Sequence, residues 1–97
     1  MKMNDKNIEV RLRNLKPVLS EKFFVEKIGY FGSYAKGTAR KKSDIDILVS
    51  FRQPVGWEFF DLEKFLQDEL NIRVDLVTEK ALKEQLKNEI LLQVKYV

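Results

Sequence analysis

Gly32-Ser33-Tyr34-Ala35-Lys36-Gly37-Thr38-Ala39-Arg40-Lys41-Lys42-Ser43-Asp44-Ile45-Asp46-Ile47-Leu48-Val49 is the stretch around which the chain is organised. Its second half alternates: Ile45, Ile47 and Val49 stand between Asp44, Asp46 and Leu48, the period of a strand with one face in a core. Its first half turns. Gly32 ends the run Lys27-Ile28-Gly29-Tyr30-Phe31, which reads as a short strand, and Gly37 closes Ser33 to Lys36, a short helix or turn. Thr38 to Lys42 is polar and basic, hence a loop.

Outward from this stretch the pattern is helical on both sides. Ile8, Leu12, Leu15, Leu19 and Phe23 recur at three- and four-residue steps and predict a helix from 4 to about 24. Asn4 or Asp5 suits its cap, and Pro17 is expected to kink or split it. After the punctuation of Pro54 and Gly56, Phe59, Leu62, Phe65, Leu66 and Leu70 stripe a second helix over 57–71. Trp57, Phe59 and Phe60 read as core packing rather than as a base-stacking platform. Arg73-Val74-Asp75-Leu76-Val77 alternates as another strand. Thr78 suits an N-cap, and Ala81, Leu82, Leu86, Ile90 and Leu91 continue a last helix. The order α-β-α-β-α-β-α puts helices on a small sheet, an α/β (α+β) fold class, within a single domain spanning 1–97.

Composition closes several routes. No cysteine and no histidine occur, which removes disulfides, the usual zinc sites and Cys or Ser–His nucleophilic catalysis. Chemistry is left to carboxylates, Lys, Tyr and water. A net charge of +3, spread along the chain, is weak support for a nucleic-acid partner, so none is expected. No apolar run approaches the ~20 residues of a membrane span, and the charged N-terminus lacks an apolar signal core. A cytoplasmic location without a membrane partner is the expectation.

Residues two apart on a strand share a face, so Asp44 and Asp46 point the same way, away from Ile45 and Ile47. Asp75 occupies the same alternation on the later strand. If the two strands are neighbours, three carboxylates converge. Their mutual repulsion would raise their pKa values. Hard divalent cations relieve it, Mg²⁺ first and Mn²⁺ second, and two such ions ~3.5–4 Å apart clamp an in-line phosphoryl displacement. The Gly32-Ser33 turn supplies the complementary anion cradle, with a backbone that a phosphate can approach and the Ser33 hydroxyl as a further donor. Lys36, Arg40, Lys41 and Lys42 lie between cradle and acids. Taken singly, each element reads as an ordinary turn, a solvated surface pair or a solvated loop. Taken in order, they read as one metal–triphosphate site.

The same stretch resembles the signature of the DNA polymerase beta-like nucleotidyltransferase superfamily: a Gly-Ser turn, a basic loop, then Ser43-Asp44-Ile45-Asp46 on a strand. Trp57 to Thr78 and Ile90 to Val97 extend the likeness to the stand-alone minimal (MntA-like) nucleotidyltransferases, over nearly the whole chain. The resemblance implies a polymerase beta-like core, with Gly32, Ser33, Lys36 and Ser43 on the nucleotide. It makes Asp44, Asp46 and Asp75 the catalytic and metal-binding carboxylates. It implies ATP as substrate and Mg²⁺ as cofactor. It implies an antitoxin role in a toxin–antitoxin pair, with AMP transferred to a tyrosine of a HEPN-type toxin and possible assembly with that partner. Lys36 stands where Arg is frequent, which keeps the charge but loses the bidentate fork. Tyr34 stands where Phe or another residue is common. The alternatives are a module that neutralises a partner by contact alone, and a transferase acting on nucleic acid or a small molecule. The intact carboxylates favour catalysis, and a chain of 97 residues has no further domain of its own to bring an acceptor.

Overall fold

A computed structural model describes residues 5–40, 43–82 and 84–97. The element order is α1 (Asp5–Phe23), β1 (Val25–Phe31), α2 (Ser33–Lys36), β2 (Ile45–Phe51), α3 (Glu58–Leu70), β3 (Val74–Thr78), a 3₁₀ turn (Glu79–Ala81), α4 (Glu84–Gln93) and β4 (Lys95–Tyr96). The strands form one mixed sheet in the order β3-β2-β1-β4. β1 runs antiparallel to both β2 and β4, and β2 runs parallel to β3.

α1 and α3 cover one face. The α1 stripe buries Ile8, Leu12 and Leu19 completely, and α3 does the same with Leu62 and Leu66. They meet Ile28 and Tyr30 of β1, Ile45, Ile47 and Val49 of β2, and Val74 and Leu76 of β3 in one core. Phe23 and Phe65 join the two helices, ring centroids 5.2 Å apart. α1 is continuous through Pro17, contrary to the expected kink or break. Pro17 is exposed, and the apolar stripe on the other side holds the helix across the missing hydrogen bond. The suggested cap Asn4 lies outside the described residues.

The other face carries the loop-side chemistry. The crossover β2-α3-β3 places α3 on the core face. The return from β3 at one edge to β4 at the other runs through α4. Two expectations change here. The last helical region is a 3₁₀ turn, with Thr78 Oγ1 accepting from Ala81 N at 3.1 Å, followed by a separate helix, α4. A fourth strand also exists. β4 is so close to β1 that a Cβ on Gly29 would meet Lys95 O at 2.7 Å and Val94 Cγ2 at 3.0 Å, so only glycine fits there. Tyr96 OH then donates to Glu79 Oε1 at 2.7 Å and ties this edge to the turn after β3. The aromatic group also departs from expectation. Phe59 packs on the core, but Trp57 and Phe60 are 81% and 60% exposed, because they lie off the Leu62–Leu66–Leu70 stripe.

Candidate active site

The strand register builds the site. Ile45, Ile47 and Val49 are drawn under the helices by burial, which turns Asp46 to the opposite face. Parallel pairing sets Asp46 directly beside Asp75, and antiparallel pairing sets Phe31 beside Asp46. One row across the sheet therefore reads Phe31, Asp46, Asp75. Burial first, then the charge of the neighbouring Asp75 and hydrogen bonding with it, then Asp44, push the Asp46 carboxyl up to about 6. Like charges brought this close disfavour ionisation.

Gly32 lies against Asp46. Its φ of 73° and ψ of −147° fall in a region that L side chains scarcely enter, and a Cβ there would stand inside the Asp46 carboxylate. The backbone conformation therefore requires glycine, and any side chain there would also push the Asp46 carboxylate aside. The chain then closes on itself: Lys36 N donates to Gly32 O at 3.0 Å and Thr38 N to Ser33 O at 2.9 Å. Ser33 begins α2 beside the carboxylates, and Lys36 ends it with its side chain exposed.

The remaining expected residues are arranged differently. Asp44 precedes β2 rather than lying in it, and its Oδ1 is 3.8 Å from Arg73 Nε, both side chains being largely exposed. Asp46 and Asp75 meet, while Asp44 turns to Arg73. Among the described residues no three acidic side chains are clustered closely enough to hold a metal ion. Ser43 closes the basic loop, with its Oγ accepting from Arg40 N at 2.8 Å and its N donating to Arg40 O at 2.9 Å. Lys41 and Lys42 lie outside the described residues.

Sequence reasoning overlooked Arg73 and Phe31. Arg73 stands two residues before Asp75, so the same alternation places it on the site face. Phe31 stands immediately before Gly32 in a strand already recognised. A cavity of about 630 Å³ lies elsewhere, at the far end of β2, lined by Lys27, Ser50, Phe51, Phe59 and Lys80 among others. It contains none of the candidate residues, and the register places the chemistry at the opposite end.

Carboxylate oxygens on one sheet face beside an open backbone turn are the kinds of group that take a hard cation and a phosphate chain. Comparisons agree on the class. The model of the nucleotidyltransferase domain family matches residues 12–97. A protein adenylyltransferase, MntA, of Thermococcus cleftensis is 44% identical over 91 residues, 93% of this chain and 92% of the relative. A relative assigned to the protein adenylyltransferases in Methanocaldococcus jannaschii is 51% identical over 73 residues, 74% of each chain. A solved structure described as a minimal nucleotidyltransferase superposes with TM-score 0.81 at 30% identity, covering 96% of this chain and 95% of that one. A toxin–antitoxin complex with AMP-PNP does so with TM-score 0.69 at 29% identity, covering 97% and 72%. With its Gly32 turn and Asp46–Asp75 pair inside the matched span, the chain belongs to the nucleotidyltransferase domain family.

Proposed function

We propose that this chain is the antitoxin adenylyltransferase of a toxin–antitoxin pair, transferring AMP from ATP to a tyrosine hydroxyl of a HEPN-type partner toxin. The observation that carries the reading is the Asp46–Asp75 pair set against the Gly32 turn. The likeness to an MntA adenylyltransferase and to a toxin–antitoxin complex holding an ATP analogue supports the donor and the partner.

The acceptor oxygen forms a bond to the α-phosphorus of ATP as the bond to the β-phosphate oxygen breaks, and pyrophosphate leaves. The Gly32-Ser33 turn receives the phosphate chain. Asp75, on the edge strand of the row, would join the cation and could take the acceptor's proton. The donor set fits Mg²⁺: Asp46 and Asp75 would hold it, with Asp44 released from the exposed Arg73 contact. When bound, the cation neutralises charge developing on the phosphate oxygens. Two ions are the expected complement.

Incubation of the partner toxin with ATP, Mg²⁺ and this chain should raise the toxin's intact mass by one or more AMP units. Asp44→Asn with Asp46→Asn should abolish the increase and, with it, neutralisation. Full neutralisation by the double variant would instead establish inhibition by contact alone.

A further inference from the structure

The β1 alternation leaves one aromatic ring on the chemical face. Ile28 and Tyr30 turn to the helices and are buried, so Gly29 and Phe31 turn the other way. Register then sets Phe31 opposite Asp46, at the ~4.5–5.5 Å Cβ separation of directly paired residues. Phe31 is half-buried. Unlike Phe23, Phe51, Phe59 and Phe65, it is not among the apolar side chains packed on the main core. The backbone turn that follows it begins at the next residue, Gly32.

We propose that Phe31 is the nucleoside wall of the site, its ring stacking on the base or sugar of the bound triphosphate while the Gly32-Ser33 turn and Asp46 hold the phosphates. The inference rests on reading the site as a metal–triphosphate site. A nucleoside is joined to the α-phosphate by a single ester link. With that phosphate at Asp46 and the outer phosphates over Gly32-Ser33, the nucleoside settles beside the carboxylate row, where Phe31 supplies the apolar surface. A phenyl face reads no base edge, so this contact strengthens binding of ATP and GTP alike.

The test titrates Mg²⁺·ATP and Mg²⁺·tripolyphosphate into the wild-type chain, Phe31→Leu and Phe31→Tyr by calorimetry. Leucine keeps apolar bulk and loses the ring, while tyrosine keeps the ring. The inference expects Phe31→Leu to bind tripolyphosphate as the wild type does and ATP roughly 10-fold or more weakly, with Phe31→Tyr restoring ATP. Equal loss of both ligands would mark Phe31 as packing only and overturn it, as would unchanged ATP binding. Equal affinity of the wild type for ATP and tripolyphosphate would also overturn it, leaving the triphosphate site standing. Failure of the wild type to bind either ligand would remove the site reading itself and this inference with it.

Discussion

At the scale of single residues, the strongest constraint is the mutual placement of Gly32 and Asp46. Gly32→Ala must relax a backbone conformation that costs about 1–3 kcal/mol for a side-chain-bearing residue, and it must displace the Asp46 carboxylate. The expected result is a loss of about that size in urea unfolding, together with loss of Mg²⁺·ATP binding in titration. Asp46 also sets a pH dependence. Its folded-state pKa, about 6, lies above the unfolded value of 3.8, so the folded chain binds this proton more tightly than the unfolded chain does. The resulting stability is present below pH ~4 and is lost as pH rises through about 6. Because the half-buried carboxylate still reaches solvent, the change is about 1 kcal/mol rather than the full value of the shift. Thermal unfolding of the metal-free protein at pH 4.5 and 7 should show it, and Asp46→Asn should flatten that part of the profile. A wild-type profile that rises over this interval would contradict the placement of the acidic pair.

At the scale of elements, α3 separates residues that the sequence makes look alike. Leu62, Leu66 and Leu70 lie on its inner stripe, while Trp57 and Phe60 touch each other on its outer side, ring centroids 6.0 Å apart. Leu66→Ala should cost about 2–5 kcal/mol in chemical denaturation, through lost burial and the cavity left behind. Trp57→Ser should change stability by no more than about 0.5 kcal/mol. The same contrast shows what was legible. Three-and-four spacing located α1 and α3, and period-two alternation located β2 and β3 with Asp46 and Asp75 on one face, because burial enforces those periods. Aromatic identity did not reveal that Trp57 and Phe60 face outward, since one face of an amphipathic helix and its margin share a composition. β4 was illegible because two residues carry no period, and their pairing with Gly29 and Tyr30 joins distant parts of the chain. The orientation of Asp44 towards Arg73 depends on side-chain rotation beyond the end of a strand, which alternation does not encode.

At the scale of the whole molecule, the site is made by the sheet rather than by a local segment. Gly32 follows β1, Asp46 lies in β2 and Asp75 in β3, so the turn and the two carboxylates come together only when all three strands are in register. A ligand that bridges them binds the folded chain and not the unfolded one, and it must therefore stabilise the entire domain. At a ligand concentration 100 times the dissociation constant the gain is about 2.7 kcal/mol. For a chain of 97 residues, each kcal/mol raises the melting temperature by roughly 4–8 °C, so saturating Mg²⁺·ATP should raise it by roughly 10–20 °C. Mg²⁺ alone should give a smaller rise, because it relieves repulsion between Asp46 and Asp75 without joining them to the Gly32 turn. ATP without the cation should give little, because the triphosphate charge then faces the carboxylates directly. Asp75→Asn should erase most of the Mg²⁺·ATP increment while leaving the ligand-free chain folded, since Asp75 is exposed and lies on the face away from the core. Equal shifts from ATP with and without Mg²⁺, measured by calorimetric melting, would place the nucleotide elsewhere on the molecule.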